Sequence, residues 1–174
     1  DTPLDTIVAA DDLEGVLVDP AGNRILAVSE SAAGILVIDT RSGGSELVLL
    51  ADMVGYESIR KIFETSHSND GLEGIAIDPE RDRIYLLKEK HPRLLLNLSI
   101  DLTEILRVTE LTPALGFVDD DLSDHHLDAS GLTLDAPTGC LWIVSDRAKR
   151  LFLFDPSGVS PTRSYSLGWL DGDK

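Results

Sequence analysis

Apolar residues in this chain come in short runs, each closed by a cluster of turn-forming residues, and the runs fall into groups of four. The first group reads GVLVD, RILAVS, GILVID and ELVLLAD. The second reads GIAID, RIYLLK, RLLLNLS and EILRVTE, and the third GLTLD, CLWIVS, RLFLFD and RSYSLGW. Runs of this length between turns are strands, and four in succession make an antiparallel meander. The turns fit, since Asp19-Pro20-Ala21-Gly22-Asn23 and Asp135-Ala136-Pro137-Thr138-Gly139 combine φ-restricted Pro with residues that tolerate positive φ. Twelve strands are expected. One further segment, YESIRKIFET from Tyr56 to Thr65, has modest helical periodicity and reads as a short helix or an extended excursion between the first two groups.

The groups are copies of one unit. LEGVLVDPAGNRILAVSES from Leu13, LEGIAIDPERDRIYLLKEK from Leu72 and ASGLTLDAPTGCLWIVSDR from Ala129 align without gaps, with Glu14, Glu73 and Ser130 equivalent and steps of 59 and 57 residues. The units occupy roughly residues 11–55, 70–112 and 128–170. A period of this size with four strands per unit is that of a propeller blade with long loops. The first two runs of each unit are apolar almost without alternation, so both faces of those strands must be covered, and stacked blades cover them. A β-sandwich would not predict four strands repeated three times over. The expected fold is therefore an all-β propeller segment of three four-stranded antiparallel blades, half of a six-bladed ring. Its end blades carry apolar faces, which implies closure by a second copy in a homodimer or by the other half of a longer chain.

Composition narrows the partners. The 174 residues are 43% hydrophobic, enough for a real core, and carry 31 acidic against 15 basic side chains for a net charge of −16. That charge repels a phosphate backbone and argues against nucleic-acid and anionic-membrane binding, leaving cations as the natural partners. Solubility alone also explains such acidity. No stretch approaches the ~20 apolar residues of a membrane span, and DTPLDTIVAADD lacks the features of a signal peptide. The single cysteine, Cys140, lies in the apolar run CLWIV and reads as a buried thiol.

Acidic residues recur at fixed offsets. Glu14 and Glu30, Glu73 and Glu89, and Ser130 and Asp146 are each 16 residues apart, the first opening one strand and the second closing the next. In an antiparallel hairpin these two ends share one edge of the sheet, so the side chains reach one rim. The first strand of a blade is innermost, which places Glu14 and Glu73 toward the channel with Glu30 and Glu89 behind them. Asp128, two residues before Ser130, takes the third position of the ring. Converging carboxylates repel one another and raise each other's pKa unless a cation is present, and Ca²⁺ accepts six to eight oxygen ligands in loose geometry. The competing reading makes these acids locks that accept backbone N–H bonds between blades, with Gly15, Gly74 and Gly131 allowing close approach. Asp19, Asp78 and Asp135 sit at the opposite strand ends and belong to turns.

The segment FVDDDLSDHHLDAS concentrates aspartates around His125 and His126. Adjacent residues of an extended segment face opposite ways, and the chain offers no closed N/S ligand set, so zinc is disfavoured against a solvated loop that carries one ligand such as Asp124 or Asp128 inward. His67 and His91 read as polar loop groups beside the second unit's acids. The chain has no GxSxG elbow, no GxxxxGK[ST] phosphate loop and no arguable Cys/His catalytic pair.

On DDLEGVLVD with AVSES, GLEGIAIDPERDRIYLLKEKHPR and DASGLTLDAPTGCLWIVSDRAKRLFLFD, the sequence resembles the SdiA-regulated family of bacterial six-bladed propellers. The resemblance covers most of residues 11–155. It implies export to the periplasm or cell exterior, or membrane anchoring, and calcium in the channel, and it assigns no activity. Carried onto this chain, it singles out Glu14, Glu73, Glu89, Asp128 and Asp146 as rim residues. The match corresponds to the second to fourth blades, without the preceding Ser-Gly blade or the closing blade with its Glu-Gly-Val and Ser-Glu-Pro-Asn motifs. Three functions are consistent with this reading. The first is an exported propeller that binds Ca²⁺ at its acidic rim and presents it to a small ligand. The second is a calcium-dependent hydrolase of lactones or phosphoesters, and the third a metal-free interaction module.

Overall fold

The structure, a computed structural model, describes residues 10–65 and 70–168. Twelve strands form three separate four-stranded antiparallel sheets in chain order. Blade 1 contains β1 (Leu13–Val18), β2 (Arg24–Ser29), β3 (Gly34–Asp39) and β4 (Ser45–Leu49). Blade 2 contains β5 (Leu72–Asp78), β6 (Arg83–Lys88), β7 (Leu94–Ser99) and β8 (Ile105–Glu110). Blade 3 contains β9 (Gly131–Asp135), β10 (Cys140–Ser145), β11 (Arg150–Phe154) and β12 (Arg163–Ser166). The excursion after blade 1 is helical, as a 3-10 turn at Tyr56–Ser58 and the short helix α1 (Arg60–Thr65). No helix among the described residues is long and apolar enough to cross a membrane.

The uninterrupted apolar runs have a direct cause in blade 2. Side chains alternate between faces along a strand, so Ile84 and Leu86 of β6 and Leu94, Leu96 and Leu98 of β7 join the core shared with blade 1. Their neighbours Tyr85, Leu87 and Leu95 join a second core with Leu141, Ile143, Phe152 and Phe154 of blade 3. Nearly every position of these strands thus faces a buried interface; the polar exceptions, Arg83, Asn97 and Ser99, are only partly buried.

The inner strands β1, β5 and β9 run side by side, and the Glu-Gly glycines set their separation. A Cβ on Gly15 would lie 3.0 Å from the Ile75 nitrogen, and one on Gly74 would lie 2.9 Å from the Leu132 Cβ. Gly131 is also close-packed, against Val144 within its own blade.

The end blades lack this two-sided cover. Val16 and Val18 of β1 are 68% and 62% exposed, whereas Ile75, at the position of Val16 in the repeat, is 5% exposed. Tyr165 and Leu167 at the other end are also exposed, with Trp142 packed on Tyr165. The contrast predicts that Ile75→Ala costs about 2–5 kcal/mol in denaturant unfolding of the chain. Val16→Ala should cost under about 0.5 kcal/mol in the same measurement while its face stays uncovered.

Candidate functional site

The starts of the inner strands, the ends of β2, β6 and β10, and the loops that follow them all lie on one rim. Each inner strand of blades 1 and 2 opens with a β-bulge. Pairing shifts between Leu13↔Ser29 and Val16↔Ala27, and again between Leu72↔Lys88 and Gly74↔Leu87. Glu14 and Glu73 sit in these bulges, which re-aim a side chain away from the regular pleat.

In blade 1 one carboxylate oxygen from each of Asp12, Glu14 and Glu30 lies within 4.8 Å of the other two. Asp12 is brought there by a left-handed backbone, φ 59°, and by its carbonyl, which accepts the Glu30 N–H at 2.9 Å. Ser29 and Ser31 donate their hydroxyls to the Asp11 carbonyl at 2.8 and 3.0 Å, pinning this turn to the end of β2. Asp12 is absent from the candidates drawn from the 16-residue spacing. Its only sequence signal is its place two residues before Glu14, the offset that Asp128 has from Ser130.

Glu30 links the first two blades, accepting the Gly71 N–H at 2.7 Å. A Cβ at Gly71 would stand 2.5 Å from the Glu30 Cγ, so any other residue there would displace the Glu30 side chain. Burial raises the Glu30 pKa, with the Gly71 hydrogen bond opposing and the charges of Asp12 and Glu14 adding to the rise. Glu73 is shifted furthest, to about 7, by burial and then by the negative charges of Glu89, Glu14 and Glu30. Glu89 pairs with Lys90 at 3.1 Å, and Lys90 also reaches Asp70 at 3.2 Å. Beneath them Lys88 is fully buried with its Nζ donating to the Lys90 carbonyl at 3.0 Å. Burial lowers the Lys88 pKa, and the nearby Asp70, Glu89 and Glu30 carboxylates oppose that shift.

Blade 3 does not join this group. Asp128 shares the repeat position of Asp12 but is buried, its carboxylate accepting the Ser145 hydroxyl and the Arg147 N–H. Asp146 points to solvent and pairs with Lys149 at 2.6 Å. Asp124 pairs with the buried Arg93. His125 and His126 lie in a 3-10 turn, Asp124–His126, and not in an extended segment, so both reach one cleft together with His91. His67 lies outside the described residues. At the opposite rim the repeated aspartates serve turns. Asp19 pairs with Arg24 at 2.9 Å, Asp78 with Arg81 at 2.6 Å, and Asp135 accepts the Thr138 hydroxyl at 2.6 Å.

Glu73 makes the rim pH-sensitive. Its folded pKa of about 7 stands above its ordinary 4.5, so its contribution to stability is complete below 4.5 and is lost as pH rises through about 7. Melting temperature should therefore fall across this window in metal-free buffer, and Glu73→Gln should flatten the fall. A profile that Glu73→Gln leaves unchanged would show that Glu73 titrates normally.

Comparison with solved structures supports the architecture. Over 92% of this chain, the RRP9 WD40 repeats superpose with a TM-score of 0.58 at 14% identity, covering 40% of that chain. A chain of the nidogen/laminin complex gives 0.59 at 18% identity, with 92% and 51% of the two chains covered. The WD40 β-propeller domain of Doa1 gives 0.54 at 11% identity, with 87% and 40% covered. The chain thus spans about half or less of the length of these proteins, and at such identity they speak for the fold alone. No curated protein matches the chain. The SdiA-regulated family model matches residues 50–169, from the end of blade 1 through blade 3, and the chain belongs to the SdiA-regulated family.

Proposed function

We propose that this chain supplies three blades of an exported propeller that holds Ca²⁺ at its acidic rim and presents the ion to a small ligand. The observation that carries this reading is the meeting of Asp12, Glu14 and Glu30 within 4.8 Å. The donors are all carboxylate oxygens, a set that suits a hard cation and not zinc. Asp12 and Glu14 are exposed, so water can complete a calcium shell. Glu73, with Glu89 behind it, extends the negative field into the second blade. The interblade bond from Gly71 to Glu30 supports the locking role as well. A carboxylate has two oxygens, so the two roles coexist.

A hydrolytic reading rests on Glu73. Without metal its pKa is raised to about 7 by burial and by the neighbouring acids. Ca²⁺ alongside would lower that value, and the carboxylate would then act by accepting a hydrogen bond from a metal-bound water directed at a lactone or phosphoester. Loss of turnover in Glu73→Gln with calcium binding retained would support that role, and absence of turnover on both substrate classes would remove it.

The exposed Val16 and Val18 face and the Tyr165 end support ring closure by a second three-blade array. A second copy related by a two-fold axis places the last blade of each chain against the first blade of the other. Further residues of the same polypeptide would serve equally in a longer chain. Light scattering on the 174-residue chain should give a mass near twice 18.9 kDa. A well-folded monomer at micromolar concentration would refute closure by a second copy.

For calcium, millimolar Ca²⁺ should raise the melting temperature over that in chelator. Asp12→Asn and Glu14→Gln should each cut the shift sharply, while Asp146→Asn, on a residue paired with Lys149, should leave it intact. Identical melting curves with and without Ca²⁺ would leave the interblade lock as the role of these acids.

A further inference from the structure

On the same rim as the carboxylates, a cleft of about 650 Å³ runs from helix α1 past the end of β6 to the blade 3 loops, lined by Lys61, Lys90, His91, His125, His126 and Arg147 among others. All three described histidines and three of the chain's cations meet here, and Asp70 is the one acidic residue of the lining. That composition runs against a chain with twice as many acids as bases. Helix α1, Asp70 just before β5, the β6–β7 loop, the turn before β9 and the β10–β11 loop each contribute, so residues distant in sequence converge.

Two of the cations are uncommitted. Lys90 is neutralised by Asp70 and Glu89, but neither Lys61 nor Arg147 has an ion-pair partner among the described residues. The histidines are held in place by a buried cation. Arg93 is 1% exposed, and its guanidinium donates to the carbonyls of Asp124 at 2.6 Å, Leu127 at 2.9 Å and Leu111 at 2.8 Å. It also donates to the Asp124 carboxylate. These bonds fix the turn that presents His125 and His126. His125 stacks obliquely on His91 with ring centroids 5.1 Å apart, and the His126 Nδ1 is hydrogen-bonded to the Ser123 hydroxyl at 2.8 Å. Four bonds from the two terminal nitrogens of Arg93 tie the loop down, while its buried Nε has no partner among the described residues.

We infer that this cleft is an anion site for a phosphate-bearing small molecule, bound by Lys61 and Arg147 with the imidazoles of His91, His125 and His126 as hydrogen-bond donors. Its volume lies in the range of small-molecule sites. A net charge of −16 repels polyanions in general, so a phosphate group is retained only where local positive charge is concentrated. The site lies beyond the calcium reading and does not depend on it.

The test is calorimetric titration of the whole chain with inorganic pyrophosphate in metal-depleted buffer free of EDTA, itself a polyanion. Wild type should bind saturably, and Lys61→Gln/Arg147→Gln should weaken binding by about tenfold or more. The control pair Arg41→Gln/Arg163→Gln removes the same charge at the opposite rim and should bind as wild type does. In parallel, pyrophosphate should shift the imidazole NMR signals of His91, His125 and His126. Absence of saturable binding, equal weakening in both variant pairs, or unmoved imidazole signals would each overturn the assignment. A protein that fails to bind Ca²⁺ but passes this titration would separate the two sites.

Discussion

The structure depends on burying both faces of the middle blade at once. Ile84 and Leu86 serve one core while Tyr85 and Leu87, their immediate neighbours, serve the other. This requirement removes nearly all polar side chains from the strand interiors and pushes them to the strand ends. Ionic chemistry is therefore confined to the two rims before any question of function arises. The same packing draws β1, β5 and β9 together through Gly15 and Gly74, so acids at the starts of β1 and β5 are crowded by the geometry of the core.

The two rims resolve that crowding differently. At the turn rim the aspartates find local partners, Arg24 for Asp19, Arg81 for Asp78 and Thr138 for Asp135. At the other rim Asp12, Glu14, Glu30 and Glu73 have fewer such partners. Compensation comes from the Gly71 N–H and from Lys88 and Lys90. Lys88 lies buried beside these acids; burial lowers its pKa, and the charges of Asp70, Glu89 and Glu30 favour its protonated form. The positive charge of Lys90 opposes the rise at Glu73 without cancelling it, and Glu73 still stands at about 7. The open rim is the one where an added cation has most to gain.

The strands were legible because their pattern has a simple physical origin. RIYLLK is apolar throughout because both of its faces are covered by other copies of the unit, whereas in CLWIVS Leu141 and Ile143 are buried and Cys140, Trp142 and Val144, on the face left uncovered at the end blade, are only half-buried. The shared rim of Glu14, Glu30, Glu73 and Glu89 followed from hairpin geometry alone. What spacing does not carry is local backbone deviation. The bulges at Glu14 and Glu73, and the positive φ that turns Asp12 inward, arise where strand pairing fails, and an alignment of equivalent positions treats those positions as regular. The burial of Asp128 depends on Ser145 and the Arg147 N–H closing over it from the next hairpin. His125 and His126 share a cleft because Arg93, more than thirty residues earlier, holds their turn in 3-10 form.

Comparison of equivalent positions across the blades shows how the repeat has been divided. At the position of Asp12, blade 2 carries Gly71 and blade 3 carries the buried Asp128; at the position of Glu30, they carry Glu89 and Asp146. Blade 1 keeps acids at all three rim positions and brings them together. Blade 2 gives up the first acid, and the glycine that replaces it donates its N–H to Glu30 across the interface. Blade 3 turns its acid into the sheet, places Ser130 where the others have glutamate, and adds Arg147 to the outer cleft. Negative charge therefore concentrates toward blade 1 and positive charge between blades 2 and 3, so this rim is polarised rather than a symmetric ring. A cation held here would sit nearer blade 1 than the ring axis. A ligand that carries both a metal-binding group and an anionic group would be oriented along the rim by that gradient before it met any specific contact.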